Sequence, residues 1–81
     1  MEMELRIRFY GRLADAIAPE IELLTADWSV GDLRSRIASE FPAAEAILSR
    51  SCACVEGGMV GDDQSISATD AVEFLPPVSG G

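Results

Sequence analysis

The adjacent prolines Pro76 and Pro77 constrain this chain more than any other feature, because they follow directly on the apolar run Ala71-Val72-Glu73-Phe74-Leu75. Proline fixes φ at about −65°, lacks an N–H, and drives its predecessor toward extended geometry, so a paired strand has to stop at Leu75. Residues 1–75 must therefore supply the folded domain, and residues 76–81 are left as a flexible tail projecting from the last strand. A chain of 81 residues hides only about 60 % of its unfolded surface around one modest core. A net stability of roughly 4 to 12 kcal/mol leaves little to hold a strained, buried catalytic cleft, so a chain that is not catalytic alone is expected.

Leu5, Ile7 and Phe9 alternate with Glu4, Arg6 and Arg8, the period of a strand with one buried and one wet face. After a loop from Gly11 to Pro19, Glu20-Ile21-Glu22-Leu23 alternates again, as expected of a strand returning beside the first. Ser29, with Asp32 three residues on, has the spacing of a capping box and places a helix start at Val30. Val30, Leu33, Ile37 and Phe41 then share one helical face. Asp32, Arg36 and Glu40 form two successive opposite-charge pairs on another face, and Pro42 ends the helix. Ala43 to Leu48 suits a further helical turn or two. Cys52 to Val55 reads as a third strand, Glu56-Gly57-Gly58 as a turn, Met59-Val60 as a brief return, and Ala71 to Leu75 as a well-buried strand. No repeat or low-complexity tract interrupts this order, which is compatible with a single α+β domain in which one main helix packs across a sheet.

Charge and composition exclude several classes of function. Fourteen acidic residues against six basic ones give a net charge of −8, which repels a phosphate backbone and favours a basic protein partner over nucleic acid. No apolar run approaches the ~18 to 20 residues of a bilayer crossing, and Met-Glu-Met-Glu is acidic where a secretory signal is basic. No membrane association and a cytoplasmic location are expected. Every basic residue is an arginine (Arg6, Arg8, Arg12, Arg34, Arg36, Arg50), so no lysine side chain can receive an isopeptide bond and the chain cannot be linked to itself that way. Cys52 and Cys54 are the two cysteines and there is no histidine, so no metal site is expected. If Cys52–Val55 is a strand, both thiols share one face, read here as the buried one.

The tail carries the chemistry. Extended geometry at roughly 3.1 to 3.6 Å per residue lets Pro76, Pro77, Val78, Ser79, Gly80 and Gly81 carry the last carboxyl about 20 Å from the body, far enough to enter another protein's active site. Gly80 and Gly81 lack β-carbons, so a narrow channel can close around them and a reagent can approach the Gly81 carbonyl unhindered. A free α-carboxylate, with a pKa of about 3.5, is a poor electrophile, so acyl chemistry at Gly81 has to begin with activation by another enzyme, and adenylation is the obvious route.

The run Val72-Glu73-Phe74-Leu75-Pro76-Pro77-Val78-Ser79-Gly80-Gly81 resembles the C-terminus of the molybdopterin synthase small subunit, the MoaD family. Leu5 to Leu13 and the Val30 to Pro42 helix resemble family elements more weakly. The likeness implies a ubiquitin-like β-grasp over residues 1–75. It also implies a cycle in which an E1-like enzyme consumes ATP to adenylate Gly81 and a persulfide sulfur donor converts the adenylate to a thiocarboxylate. The tail then delivers sulfur within the large subunit of molybdopterin synthase, in a heterotetramer of two small and two large subunits, to build the dithiolene of molybdopterin. No cofactor or metal is expected on the small subunit itself. Two departures from the family, Glu56 in place of asparagine and Thr69 in place of glycine, concern turn geometry. Other carriers, of the thiamine or tRNA-thiolation type, share such a terminus, and so do ubiquitin-like modifiers that form isopeptide bonds with target lysines. A plain interaction module with an idle tail is the remaining alternative.

If Phe9, Val72 and Phe74 fill the core, Tyr10 and Leu75 fall out of phase with them, and Met59 stands among glycines. These three are the candidates for an exposed apolar patch that docks partners near the tail root.

Overall fold

The computed structural model describes residues 2–26, 28–67 and 71–77. Alternation in the first strand, β1 (Glu2–Phe9), turns Leu5, Ile7 and Phe9 into the core, where each is at most 3 % exposed. The second strand, β2 (Glu20–Ala26), returns antiparallel with Leu5 opposite Leu23 and Ile7 opposite Ile21. Strands β3 (Cys52–Val55), β4 (Gly58–Val60) and β5 (Val72–Leu75) complete a five-stranded sheet of order β2-β1-β5-β3-β4. The last strand occupies the centre, parallel to β1 and antiparallel to β3. Its inward residues Val72 and Phe74 are fully buried, and the Phe74 ring stacks on Phe9 at 5.9 Å. The sheet closes over a helix in the ubiquitin-like β-grasp arrangement.

That helix, α2 (Val30–Glu40), starts where the capping box puts it. Ser29 Oγ accepts from the Asp32 N–H and Asp32 accepts from the Ser29 N–H, both at 3.2 Å. Because the Asp32 carboxylate is engaged there, Arg36 turns instead to Glu40 and lies over the Trp28 ring at 5.5 Å, so one of the two expected charge pairs forms. Val30, Leu33 and Ile37 are buried against the sheet, while Phe41 caps the helix outside its helical dihedrals and is half-buried. A 3-10 turn (Pro42–Ala44) and a short helix, α3 (Glu45–Ser49), follow and bury Ala44 and Leu48.

Two expectations need correction. The segment after Gly11 is not all loop: a short helix, α1 (Gly11–Ala16), buries Leu13, and its single buried residue leaves almost no helical periodicity to read. The cysteines face outward, since Ala53 is the buried residue of β3 at 1 % exposure. The reason lies in the sheet register, which pairs Ala53 with Phe74 and Val55 with Val72, so the buried face of β5 dictates that of β3 and turns Cys52 and Cys54 away. The hairpin between β3 and β4 is a two-residue turn with positive φ at both Glu56 (52°) and Gly57 (82°), the geometry of a type I′ turn. Glu56 occupies a position that ordinarily favours asparagine or glycine, and its carboxylate accepts the Ala71 N–H at 2.6 Å while its own N–H donates to Ala71 O at 3.0 Å. The turn thus pins the residue that leads into β5.

Arg34 ties the helical layer together. Its guanidinium donates to the carbonyl of Leu48, to Ser51 O at 3.0 Å and Ser51 Oγ at 3.1 Å, and to Asp62 Oδ1 at 3.0 Å, while lying over the Phe74 ring at 5.3 Å. Its side chain is only 16 % exposed, so the Leu48 and Ser51 oxygens it meets have little recourse to water, whereas the Asp62 side chain is 61 % exposed. The loop holding Asp62 is also anchored through Gly31, whose N–H donates to Asp62 O at 2.8 Å. Arg34→Ala is therefore expected to cost about 2 to 4 kcal/mol, from the donor lost to Ser51 O and the packing lost on Phe74, while Leu48 O keeps the Ser51 N–H and hydroxyl. Asp62→Ala, which removes the exposed partner, should cost less than about 1 kcal/mol. Urea denaturation of both variants checks this, and equal losses would be inconsistent with the assignment.

Candidate functional site at the tail root

The open face of the sheet follows from the same alternation. Outward residues of neighbouring strands form rows, one running Glu20, Arg8, Glu73, Cys54, Met59 across all five strands. The next position along brings Leu75 opposite Cys52, with Tyr10 following the Phe9 that pairs with Phe74. Arg8 bonds Glu20 at 3.3 Å, and hydrogen bonding to Tyr10 and then Glu20 holds its guanidinium above even the usual high arginine value. Tyr10 lies across this row and donates its hydroxyl to Glu73 at 2.5 Å.

Tyr10 and Leu75, each 38 % exposed, stand together where β5 ends, and Met59, 76 % exposed, lies two strands away, about 10 Å across the sheet. Cys52 and Cys54 fill the space between. The exposure expected of Tyr10, Leu75 and Met59 is present, but the first two adjoin and the third is separate. Leu24, 57 % exposed on the same face, belongs to the far edge, and the Glu22-Leu23-Leu24 run masks it because two successive leucines hide which is outward.

Pro76 and Pro77 leave the central strand half-buried. Val78, Ser79, Gly80 and Gly81, the rest of the expected tail, lie outside the described residues. Gly11 meets Pro76: a β-carbon on Gly11 would stand 3.0 Å from Pro76 Cγ, and Gly11 has φ +56°. Both the backbone and the space exclude a side chain there. Gly11→Ala should lose about 1 to 2 kcal/mol in thermal unfolding, with the backbone amide of Leu75 shifting in NMR spectra. Unchanged spectra around Leu75 would show that the two segments do not touch.

The thiols differ. Burial pushes the Cys54 thiol above its ordinary range, and the Glu73 carboxylate and Cys52 raise it further. Since the thiolate is the nucleophile, Cys54 should alkylate slowly at neutral pH in a Cys52→Ser background, with the rate rising at a higher pH than for an ordinary thiol. Glu73→Gln should move that profile only part of the way back, because desolvation is the larger cause. Mass-resolved alkylation against pH measures both, and a profile that moves to higher pH on Glu73→Gln would contradict the assignment.

Among the described residues, no group of three or more His, Cys, Asp and Glu side chains could hold a metal ion, and no helix is long and apolar enough to cross a membrane. A depression of about 300 Å³ on the helical side, lined in part by Ser35, Ser39, Glu45 and Leu48, is remote from the tail root.

Comparisons with known proteins agree on the family and the fold. The ThiS family model matches residues 7–81. A search of curated protein sequences returns no significant match. Among solved structures, the HVO 2177 protein of Haloferax volcanii superposes with TM-score 0.85 at 25 % identity, covering 99 % of this chain and 88 % of that one. SAMP1 from Haloferax volcanii gives TM-score 0.82 at 20 % identity over 96 % of this chain and 99 % of that one. A chain from the complex of subunits 1 and 2 of the molybdopterin-converting factor of Helicobacter pylori 26695 gives TM-score 0.65 at 21 % identity over 98 % and 100 %.

Proposed function

The chain belongs to the ThiS family, and on that premise we propose that it is a sulfur carrier that works as the small subunit of a molybdopterin synthase, with the Gly81 carboxyl as the group that is loaded. The observation that carries this reading is that Leu75 and Pro76 continue from the central strand β5, anchored by its buried residues Val72 and Phe74, beside the exposed Tyr10. A tail rooted in the most constrained strand keeps its base in place while the far end is handled by other proteins.

In this cycle an E1-like enzyme in the cytoplasm joins the Gly81 carboxylate to the α-phosphate of ATP, releasing pyrophosphate. A persulfide sulfur then adds to the carbonyl carbon and AMP departs, after which thiol reduction of the S–S bond leaves the thiocarboxylate. Pro76, Pro77, Val78, Ser79 and Gly80 thread the partner's channel, and Tyr10, Leu75 and Met59 dock the body on the activating enzyme and on the large subunit in turn. The catalytic side chains belong to those partners. The Helicobacter pylori structure, a complex of subunits 1 and 2 of the molybdopterin-converting factor, supports a large-subunit partner. The assembly proposed for this chain is a heterotetramer of two small and two large subunits.

A second reading, protein modification, draws support from the likeness to small archaeal modifier protein 1. The same activated carboxyl would then acylate lysines of other proteins, and with no lysine of its own the chain would be attached singly.

Incubation with ATP, the activating enzyme and a sulfur source should raise the intact mass by about 16 Da, one sulfur for one oxygen, and deletion of Gly81 should abolish the gain. Covalent attachment to other proteins without that gain would favour the modifier reading. Met59→Asp should weaken large-subunit binding by about tenfold or more, measured by calorimetry, and full affinity would remove Met59 from the docking patch.

A further inference from the structure

The open face carries three sulfur atoms on adjoining positions, and the tail chemistry has no use for two of them. Cys52 and Cys54 are free thiols on the same face of β3, Cys52 exposed and Cys54 partly covered, about 6.6 Å apart along the strand. Met59 is the direct cross-strand partner of Cys54, at a Cα separation of about 4.5 to 5.5 Å in an antiparallel pair. At 76 % exposure the Met59 side chain is unconfined, and its three rotatable bonds let the thioether swing over the thiols. Continuing the same register brings Gly61 beside Cys52, with the Asp63 carboxylate close by: its Oδ1 lies 3.2 Å from where a β-carbon on Gly61 would stand. On the other flank Leu75, opposite Cys52, supplies an apolar wall.

Donor chemistry decides which ligand fits. Zinc in a structural site takes four nitrogen, sulfur or oxygen ligands, and the described residues offer no such set. Thiolate and thioether sulfur are soft donors that select Cu(I). We propose that Cys52, Cys54 and Met59 form a surface site for one Cu(I) ion, held by two thiolates and one thioether. Binding replaces the proton of each thiol with a metal–sulfur bond, changes no oxidation state, and releases two protons for each ion bound. The charged and titratable groups facing the two thiols are Glu73 on β5 and, beyond it, Arg8 and the Tyr10 hydroxyl, with the Asp63 carboxylate beside Gly61 where β4 ends next to Cys52. The affinity therefore climbs with pH, by about 100-fold per unit while both thiols are protonated. The site does not involve Gly81, and it shares Met59 with the docking patch of the sulfur-carrier reading.

The test is anaerobic titration of the reduced full chain with Cu(I) supplied by the chromogenic chelator bicinchoninate, with X-ray absorption of the loaded protein. One Cu(I) per chain and a first shell of three sulfurs are expected. Met59→Leu, which preserves volume, should lower the affinity by about tenfold or more. Cys52→Ser and Cys54→Ser should each cost more than the roughly 10- to 100-fold typical of losing a mere outer-shell partner. Ag(I), a soft ion that needs no reductant, should rank the variants in the same order. Unchanged affinity in Met59→Leu with a two-sulfur shell would overturn the proposal. So would one ion shared between two chains, or Zn(II) binding as tightly as Cu(I).

Discussion

The parallel pairing of β1 with β5 is the constraint on which the rest of this structure depends. Parallel neighbours cannot be joined by a tight turn, so everything between Phe9 and Val72 has to travel from one end of the sheet to the other. The crossing helix α2 makes that journey over one face, and its buried stripe of Val30, Leu33 and Ile37 covers the inward residues of both central strands. With the first and last strands at the centre, β2 and the β3–β4 hairpin are flanks. Pro76 therefore emerges from the middle of the sheet, against Gly11 and next to Tyr10.

Arg34 solves a problem that this crossing creates. The chain has to turn from α3 back into the sheet at Ser51, leaving the carbonyls of Leu48 and Ser51 in a partly buried corner. One planar guanidinium satisfies both and reaches Asp62 on the loop that packs on the start of α2. A lysine has neither the fork of donors nor the flat face that rests on Phe74. The helical side is thus occupied with holding itself together, and the exposed side chains Tyr10, Leu24, Met59 and Leu75 stand on the opposite face of the sheet.

Much of this was legible from residue order. The alternation of Leu5, Ile7 and Phe9, the Ser29 and Asp32 cap, the end of the helix at Pro42 and the stop at Leu75 are local effects with short-range signatures. The exposure of Tyr10 and Leu75 followed from phase, and that of Met59 from its place on a brief strand among glycines. Less legible were α1, with one buried residue, and the phase of Cys52-Ala53-Cys54-Val55, in which either set could face inward on its own merits. Cysteine is a small hydrophobe by composition, and nothing within four residues says which neighbour sits beneath them.

What the sequence by itself determined is where pairing stops: a double proline ends the last strand at Leu75, regardless of what is folded behind it. It determined the element order too, because capping, alternation and proline act within a few residues. Only the tertiary structure decided where the tail leaves and what surrounds its root. Sheet register is a long-range property, set when Phe74 packs against Phe9 and pairs beside Ala53. That contact turned the two thiols outward beside Met59 and brought Gly11 against Pro76, residues far apart in the chain whose meeting no local pattern encodes.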